Sequence, residues 1–199
     1  MDYHIESRKS RGKTQKLFLV QIQKPKIKYE RSFDIMGTTG NVYTVDIKKT
    51  PTCTCPDHKT RNRRCKHIYF VLIRVMLIAK YKEDQEEFTE DELESMIDEI
   101  PAIGNNVKVS DAYKKKYEKF SKKGDIKTTV DKRLDDICPI CLDDLDNEPT
   151  DYCKYSCGKA VHKECFEMWL KKQKTKSCIF CRANWTKNSA DEKYINLNL

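Results

Sequence analysis

Eight of the ten cysteines of this chain fall into pairs separated by one to three residues, the other two stand as close to a histidine, and that spacing limits its possible folds more than any other feature. Early in the sequence stand Cys53-Thr54-Cys55 and, after nine intervening residues, Cys65-Lys66-His67. The last third carries Cys138-x2-Cys141, then Cys153-x3-Cys157-x4-His162-x2-Cys165, then Cys178-x2-Cys181. All ten cysteines are used. With the two histidines they make twelve donors, enough for three tetrahedral zinc ions. A set of four sulfur and imidazole donors leaves no open coordination position, so the expected role of each ion is structural. Hydrophobic residues are 38% of the chain and charged residues 35%, too lean for one large apolar core. Metal is the usual substitute for missing apolar area in small domains.

The same cysteines would read as disulfides in a secreted protein. Residues 1–16 are polar and basic with no apolar leader, and the apolar stretch 68–79 is interrupted by Arg74 and too short to span a bilayer. The expected setting is therefore cytoplasmic or nuclear, without a membrane, where closely paired cysteines act as ligands. Net charge is +8, unevenly spread. Residues 1–82 hold 19 Lys/Arg against 6 Asp/Glu, residues 83–100 hold ten acids and no base, and residues 136–199 balance at ten against ten. A chain built to coat nucleic acid would not be neutral over its last third. The basic N-terminal half still leaves a nucleic-acid or acidic-protein contact open.

Leu17–Gln23, Tyr29–Met36 and Asn41–Ile47 alternate apolar and polar residues, with the turn Gly37-Thr38-Thr39-Gly40 between the last two, and predict a three-stranded antiparallel sheet. A helix is expected over Lys66–Tyr81, with Ile68, Val71, Leu72, Val75 and Ile78 on one stripe. Thr89 followed by Glu92 is a capping box that opens an acidic helix ending before Pro101. Tyr113, Tyr117 and Phe120 recur at helical spacing among lysines, an aromatic stripe expected to lie on a neighbouring domain. The expected organisation is a first zinc module over 1–82 (core 28–80), an acidic helix and basic linker over 83–135, a second module over 136–187 and a tail over 188–199. Ile195, Leu197 and Leu199 in the tail are read as a frayed end, with dimerisation the other reading. The fold class is small α+β, stabilised by zinc, with the sheet and helix in the first module and a helical linker before the second.

The order strand, CxC, CxH, helix lets Cys53, Cys55, Cys65 and His67 converge on one ion, since Pro51 and Pro56 flank a bend and Cys65 and His67 sit at a helix start. His58 is a rival nitrogen donor, read as exposed in the loop. This constellation resembles the SWIM zinc finger, which is an interaction module, so the resemblance implies recruitment of another molecule. Arg61, Arg63, Arg64 and Lys66 make the adjoining loop basic.

The eight later donors resemble a RING domain. They match the spacing of the MAP/ERK kinase kinase RING and of SWIM-and-RING ubiquitin ligases, proteins of a kind that large DNA viruses also encode. That resemblance implies cross-bracing: Cys138, Cys141, His162 and Cys165 on one ion, Cys153, Cys157, Cys178 and Cys181 on the other. The order C4HC3 departs from the commonest RING and is shared with PHD fingers. A PHD finger places tryptophan two residues before the seventh ligand, where this chain has Lys176. Trp169 and Ile140 instead stand where RINGs contact the ubiquitin-conjugating enzyme, with Ile179 replacing a common proline there. Arg182 stands where RINGs keep the arginine that bridges that enzyme and ubiquitin. The function so implied is that of a RING-type ubiquitin ligase, with a conjugating enzyme, ubiquitin and a protein substrate as partners. The substrate would be recruited partly by the SWIM module. With every cysteine a ligand, none is left to carry ubiquitin covalently. A non-enzymatic scaffold and a nucleic-acid-associated regulator are the alternatives the sequence leaves open.

Overall fold

Alternating side chains build a four-stranded antiparallel sheet in the order β1 (Phe18–Ile22), β2 (Arg31–Met36), β3 (Val42–Ile47) and β4 (Thr52–Cys53). The computed structural model describes residues 3–123, 137–145, 148–173, 175–186 and 195–197. β4 is one strand more than the alternation predicted, because the chain turns back after β3 and pairs Cys53 with Val45. Gly40, at φ 83°, closes the turn between β2 and β3 in a conformation that other residues rarely adopt.

Phe33, Ile35, Val45 and Ile47 are fully buried on one face of the sheet. Each such side chain contributes about 1.5–3 kcal/mol relative to exposure. The face packs on α3 (Lys66–Phe70), which continues as a π-helical turn over Val71–Val75. The helix expected to reach Tyr81 therefore ends early. Met76 N donates to Val71 O, Leu77 takes φ 51°, and Ile78 N returns to Leu72 O, a left-handed closure that satisfies the last carbonyls.

A preceding helix α1 (Tyr3–Thr14) was not legible as one, since its packed face is polar. Arg8 meets Asp57 at 3.0 Å, and Lys9 meets Glu83 at 2.9 Å and Asp84 at 2.6 Å. Gly12 permits the contact with α3: a Cβ there would stand 2.8 Å from that of Tyr69. The short helix α2 (Pro56–Arg61) follows β4. Residues 83–107, read as the start of a linker, pack into the same core through Phe88, Leu93, Met96, Ile97 and Val107. Arg64 lies over the Phe88 ring and donates to the backbone of Glu83 and Gln85. α4 (Glu90–Asp98) opens with the expected capping box, Glu92 N donating to Thr89 Oγ1 at 3.2 Å and Thr89 N to Glu92 Oε2 at 3.0 Å.

The other face of the sheet is covered by α5 (Asp111–Lys123), whose Tyr113, Tyr117 and Phe120 pack with Val20, Met36 and Val42. Buried Asp34 accepts from Tyr117, Thr44, Gln21 and Gln23, so no lone charge is left under the helix. Residues 195–197 correct the expectation of a frayed tail. Val42 N donates to Ile195 O, Leu197 N donates to Gly40 O, and Leu197 is fully buried in this cluster. Leu199 lies outside the described residues.

The second module holds a two-stranded sheet, β5 (Thr150–Tyr152) and β6 (Ala160–His162), followed by α6 (Lys163–Lys171). It is joined to the first by three buried polar side chains. Asn41 Nδ2 donates to Ser156 Oγ at 2.6 Å, and Asn196 Nδ2 reaches Asn41 Oδ1 at 2.6 Å and Ser156 O at 3.0 Å.

Three candidate metal centres

Local backbone geometry delivers each donor. Cys53 ends β4, Cys55 precedes α2, Cys65 precedes α3, and His67 lies in the first turn of α3. Cys53 Sγ and Cys65 Sγ stand 3.9 and 3.8 Å from His67 Nδ1. His58 is not part of this cluster; its Nδ1 lies 2.9 Å from Arg63 O.

The first and last ligand pairs form matching knuckles. Leu142 N donates to Cys138 O at 2.9 Å and Arg182 N to Cys178 O at 2.8 Å, and the two residues take φ of 69° and 64°. Each knuckle turns its two sulfurs toward the same side as a partner pair from the middle of the module. Cys141 Sγ and Cys165 Sγ lie 3.3 and 3.9 Å from His162 Nδ1, while Cys153 pairs with Cys181 at 3.8 Å and Cys157 with Cys178 at 3.7 Å. The quartets are therefore Cys138, Cys141, His162, Cys165 and Cys153, Cys157, Cys178, Cys181, the cross-braced arrangement.

In each of the three quartets the donor atoms lie within 4.8 Å of one another. A tetrahedral ion with Zn–S bonds of about 2.3 Å sets its sulfurs about 3.8 Å apart. The donor sets fit three zinc ions. Their electrostatics point the same way, since thiols crowded together share protons unequally. Hydrogen bonds from Cys153, Cys157 and Cys178 hold Cys181 well below the ordinary thiol range, while Cys53 is pushed up, first by burial. For Cys138 burial acts upward, yet backbone donors at Cys141, His162 and Ile140 bring it to about 7. A divalent cation removes this competition by deprotonating every thiol.

The two histidines differ behind the metal. His162 Nε2 lies 2.9 Å from Asp144 O, a bond that fixes the tautomer and leaves Nδ1 for the ion. His67 also turns Nδ1 to the sulfurs, but its buried Nε2 has no partner among the described residues.

Ile140, Trp169 and Ile179 are half-buried and packed against the second core beside Leu170 and Phe180. Trp169 stacks on Phe166, which stacks on buried Trp185 with ring centroids 3.9 Å apart. Trp185, whose indole donates to Asp151 Oδ2 at 2.9 Å, was missed by sequence reasoning, as were exposed Leu142 and Met168. An aromatic residue four positions after the last ligand was the available signal for Trp185. Arg182 projects toward the first module and donates through Nη1 to Asp57 Oδ1 at 2.7 Å. Asp57 is pushed up by burial but held below its usual range by Arg8 and Arg182. Lys66 is lowered, first by burial and then by neighbouring Arg11.

Residues 43–76 match the SWIM zinc finger family and residues 136–182 the Ring finger domain family. The chain is similar to the mouse E3 ubiquitin-protein ligase Zswim2, 30% identical over 142 residues that cover 65% of this chain and 22% of that protein. It is also similar to the RING-H2 finger protein ATL22 of Arabidopsis thaliana, 31% identical over 86 residues, 43% of this chain and 21% of that one. The matched regions thus span about a fifth of the length of these curated relatives. No solved structure matches the chain. Among the described residues, no helix is long and apolar enough to cross a membrane.

Proposed function

We propose that this chain works as a RING-type ubiquitin ligase, holding a ubiquitin-charged conjugating enzyme so that a substrate lysine can attack the thioester. The observation that carries the reading is the second knuckle. It puts Arg182 on a positive-φ turn close to half-buried Ile179, which packs on the same small core as Ile140 and Trp169. Three apolar side chains supply an anchor for the enzyme. The planar guanidinium fork supplies donors for carbonyls on both enzyme and ubiquitin at once. Catalysis of this kind is positioning, with no bond made to the ligase. Zinc supplies no chemistry beyond fixing the two knuckles. The ten thiols held for metal suit a reducing compartment. The SWIM module is the proposed site of substrate recruitment, and the resemblance to Zswim2 supports the pairing of the two modules.

Single-turnover discharge of a charged conjugating enzyme onto free lysine tests this. Ile140→Ala and Trp169→Ala remove contacts of the kind that cost about 2 kcal/mol or more at an interface centre, so both lose stimulation while zinc content stays at three. Arg182→Ala keeps binding to the uncharged enzyme and slows discharge. Wild-type discharge in all three variants would leave the module a scaffold.

A further inference from the structure

The centre formed by Cys153, Cys157, Cys178 and Cys181 is buried at all four ligands and has only sulfur donors. Four thiolates outweigh one divalent ion, so the loaded centre is a buried anion, and a buried charge is costly unless other groups answer it. Arg11, Lys66 and Arg182 answer part of it from the cleft between the modules, which Cys55, Cys65 and Cys181 also line. Ser156 adds a donor from within the ligand loop itself. It is buried between Cys153 and Cys157, in a loop that Gly158 N closes by donating to Cys153 O at 3.0 Å. Its hydroxyl is one of the groups whose hydrogen bonds lower Cys181.

A hydroxyl has one hydrogen, so what it gives to one neighbour it withholds from the rest. The polar joint between the modules decides where that hydrogen goes. Asn196 Nδ2 lies 3.2 Å from Thr39 O and 3.0 Å from Ser156 O, and carbonyls only accept, so the atom there must be the amide nitrogen. Asn196 therefore donates to Asn41 at 2.6 Å, and the Asn41 atom facing it must be Oδ1. That turns Asn41 Nδ2 toward Ser156 Oγ at 2.6 Å and Tyr43 Oη at 3.2 Å. An amide nitrogen cannot accept. Ser156 Oγ thus accepts from Asn41, and its own hydrogen is left for Cys181.

We infer that Asn41 of the first module is a positioning residue for the all-sulfur zinc centre of the second, and that it acts by orienting the Ser156 hydroxyl to donate to Cys181 Sγ. Partners standing behind a metal ligand in this way change metal affinity about 10–100-fold. Cys181 directly precedes Arg182, so the same donor steadies the knuckle on which that arginine stands. The first module thereby takes part in holding an ion to which it contributes no ligand. The inference concerns the metal centre and does not rest on the ligase reading.

The test loads the full chain with cadmium-113, whose resonance reports the donors around each ion, so the all-sulfur centre is read apart from the two that contain histidine. Ser156→Ala should move the all-sulfur resonance, leave the other two in place and weaken that centre about tenfold or more against a competing chelator. Asn41→Ala should move the same resonance. It should have no further effect on that centre once Ser156→Ala is present, because it acts through the hydroxyl. Asn41→Asp keeps the size of the side chain but offers no hydrogen to Ser156, so it too should move the resonance. An unmoved all-sulfur resonance in Ser156→Ala or in Asn41→Asp overturns the inference. So does an Asn41→Ala effect that persists in full beside Ser156→Ala, or one spread evenly over all three centres. Either of those results means that Asn41 only holds the modules together.

Discussion

In the N-terminal region three cysteines lie among twenty-one buried core residues, whereas in the C-terminal region six of twelve core residues are cysteines. The first region would still have Phe33, Ile35, Val45, Ile47, Phe70 and Leu72 to bury without its ion. The second would be left with Leu145, Val161, Phe166, Trp185 and two alanines. Zinc therefore shapes one loop of the first module but is the greater part of what folds the second. Ligand exposure reinforces the contrast: the SWIM quartet is buried throughout, while Cys141 of the RING is exposed.

Metal removal is the largest test of this contrast. Structural zinc binding is worth about 10–16 kcal/mol at neutral pH, so chelation should abolish amide protection over 137–186 while β2 and β3 stay protected. The site of Cys141 should empty first. Acid should act in the same order, because falling pH protonates the ligands and releases the ion. Loss of protection in both regions at one chelator concentration would break the comparison.

A smaller effect is expected at the joint. Asn41→Ala removes the donor to Ser156 Oγ and one acceptor of the Asn196 amide, two buried hydrogen bonds worth about 1–3 kcal/mol together. Denaturant unfolding watched separately at Trp185 and at the sheet should then show two transitions further apart than in the parent.

The cover of the sheet gives a test confined to the first region. Burial, then the nearby Asp34, raises the Tyr117 phenol above its ordinary value. A raised folded value means stability that is complete below the unfolded pKa of about 10 and lost as pH climbs above it. Tyr117→Phe should lower stability at neutral pH by about 1 kcal/mol and flatten this part of the alkaline decline. Equal alkaline slopes in both proteins would remove Tyr117 from the account.

The smallest effect concerns the ion pair between the modules. Arg182 is 45% exposed and Asp57 16%, so the pair is worth about 1 kcal/mol or less. Asp57→Asn should release Arg182 and speed ubiquitin discharge by at most about fivefold, with zinc content unchanged. Slower discharge would mean that Asp57 holds the arginine ready rather than back.

The donors were legible because a tetrahedral ion tolerates few spacings, and the three long strands because burial on one face enforces alternation. α1 was not, since its packed side carries Arg8 and Lys9, which read as solvent-facing until Asp57, Glu83 and Asp84 are brought beside them. The acidic run 83–87 opposite a basic N-terminus was the only hint. The early helix end was hidden in Leu77, whose positive φ no local pattern announces. Nor does any pattern mark Asn41, Ser156 and Asn196 as partners: three small polar residues far apart in sequence become a joint only when both modules have folded.

That joint has a consequence for the chain as it is being made. Gly40 and Val42 present an open sheet margin until residues 195–197 have been synthesised to pair with it. A nascent chain already long enough to complete the first module thus displays unpaired backbone beside apolar Val42 and Met36, the kind of edge that recruits other strands. Translation stalled before residue 195 would leave that edge uncapped, and the released fragment would be prone to self-association even with its zinc bound.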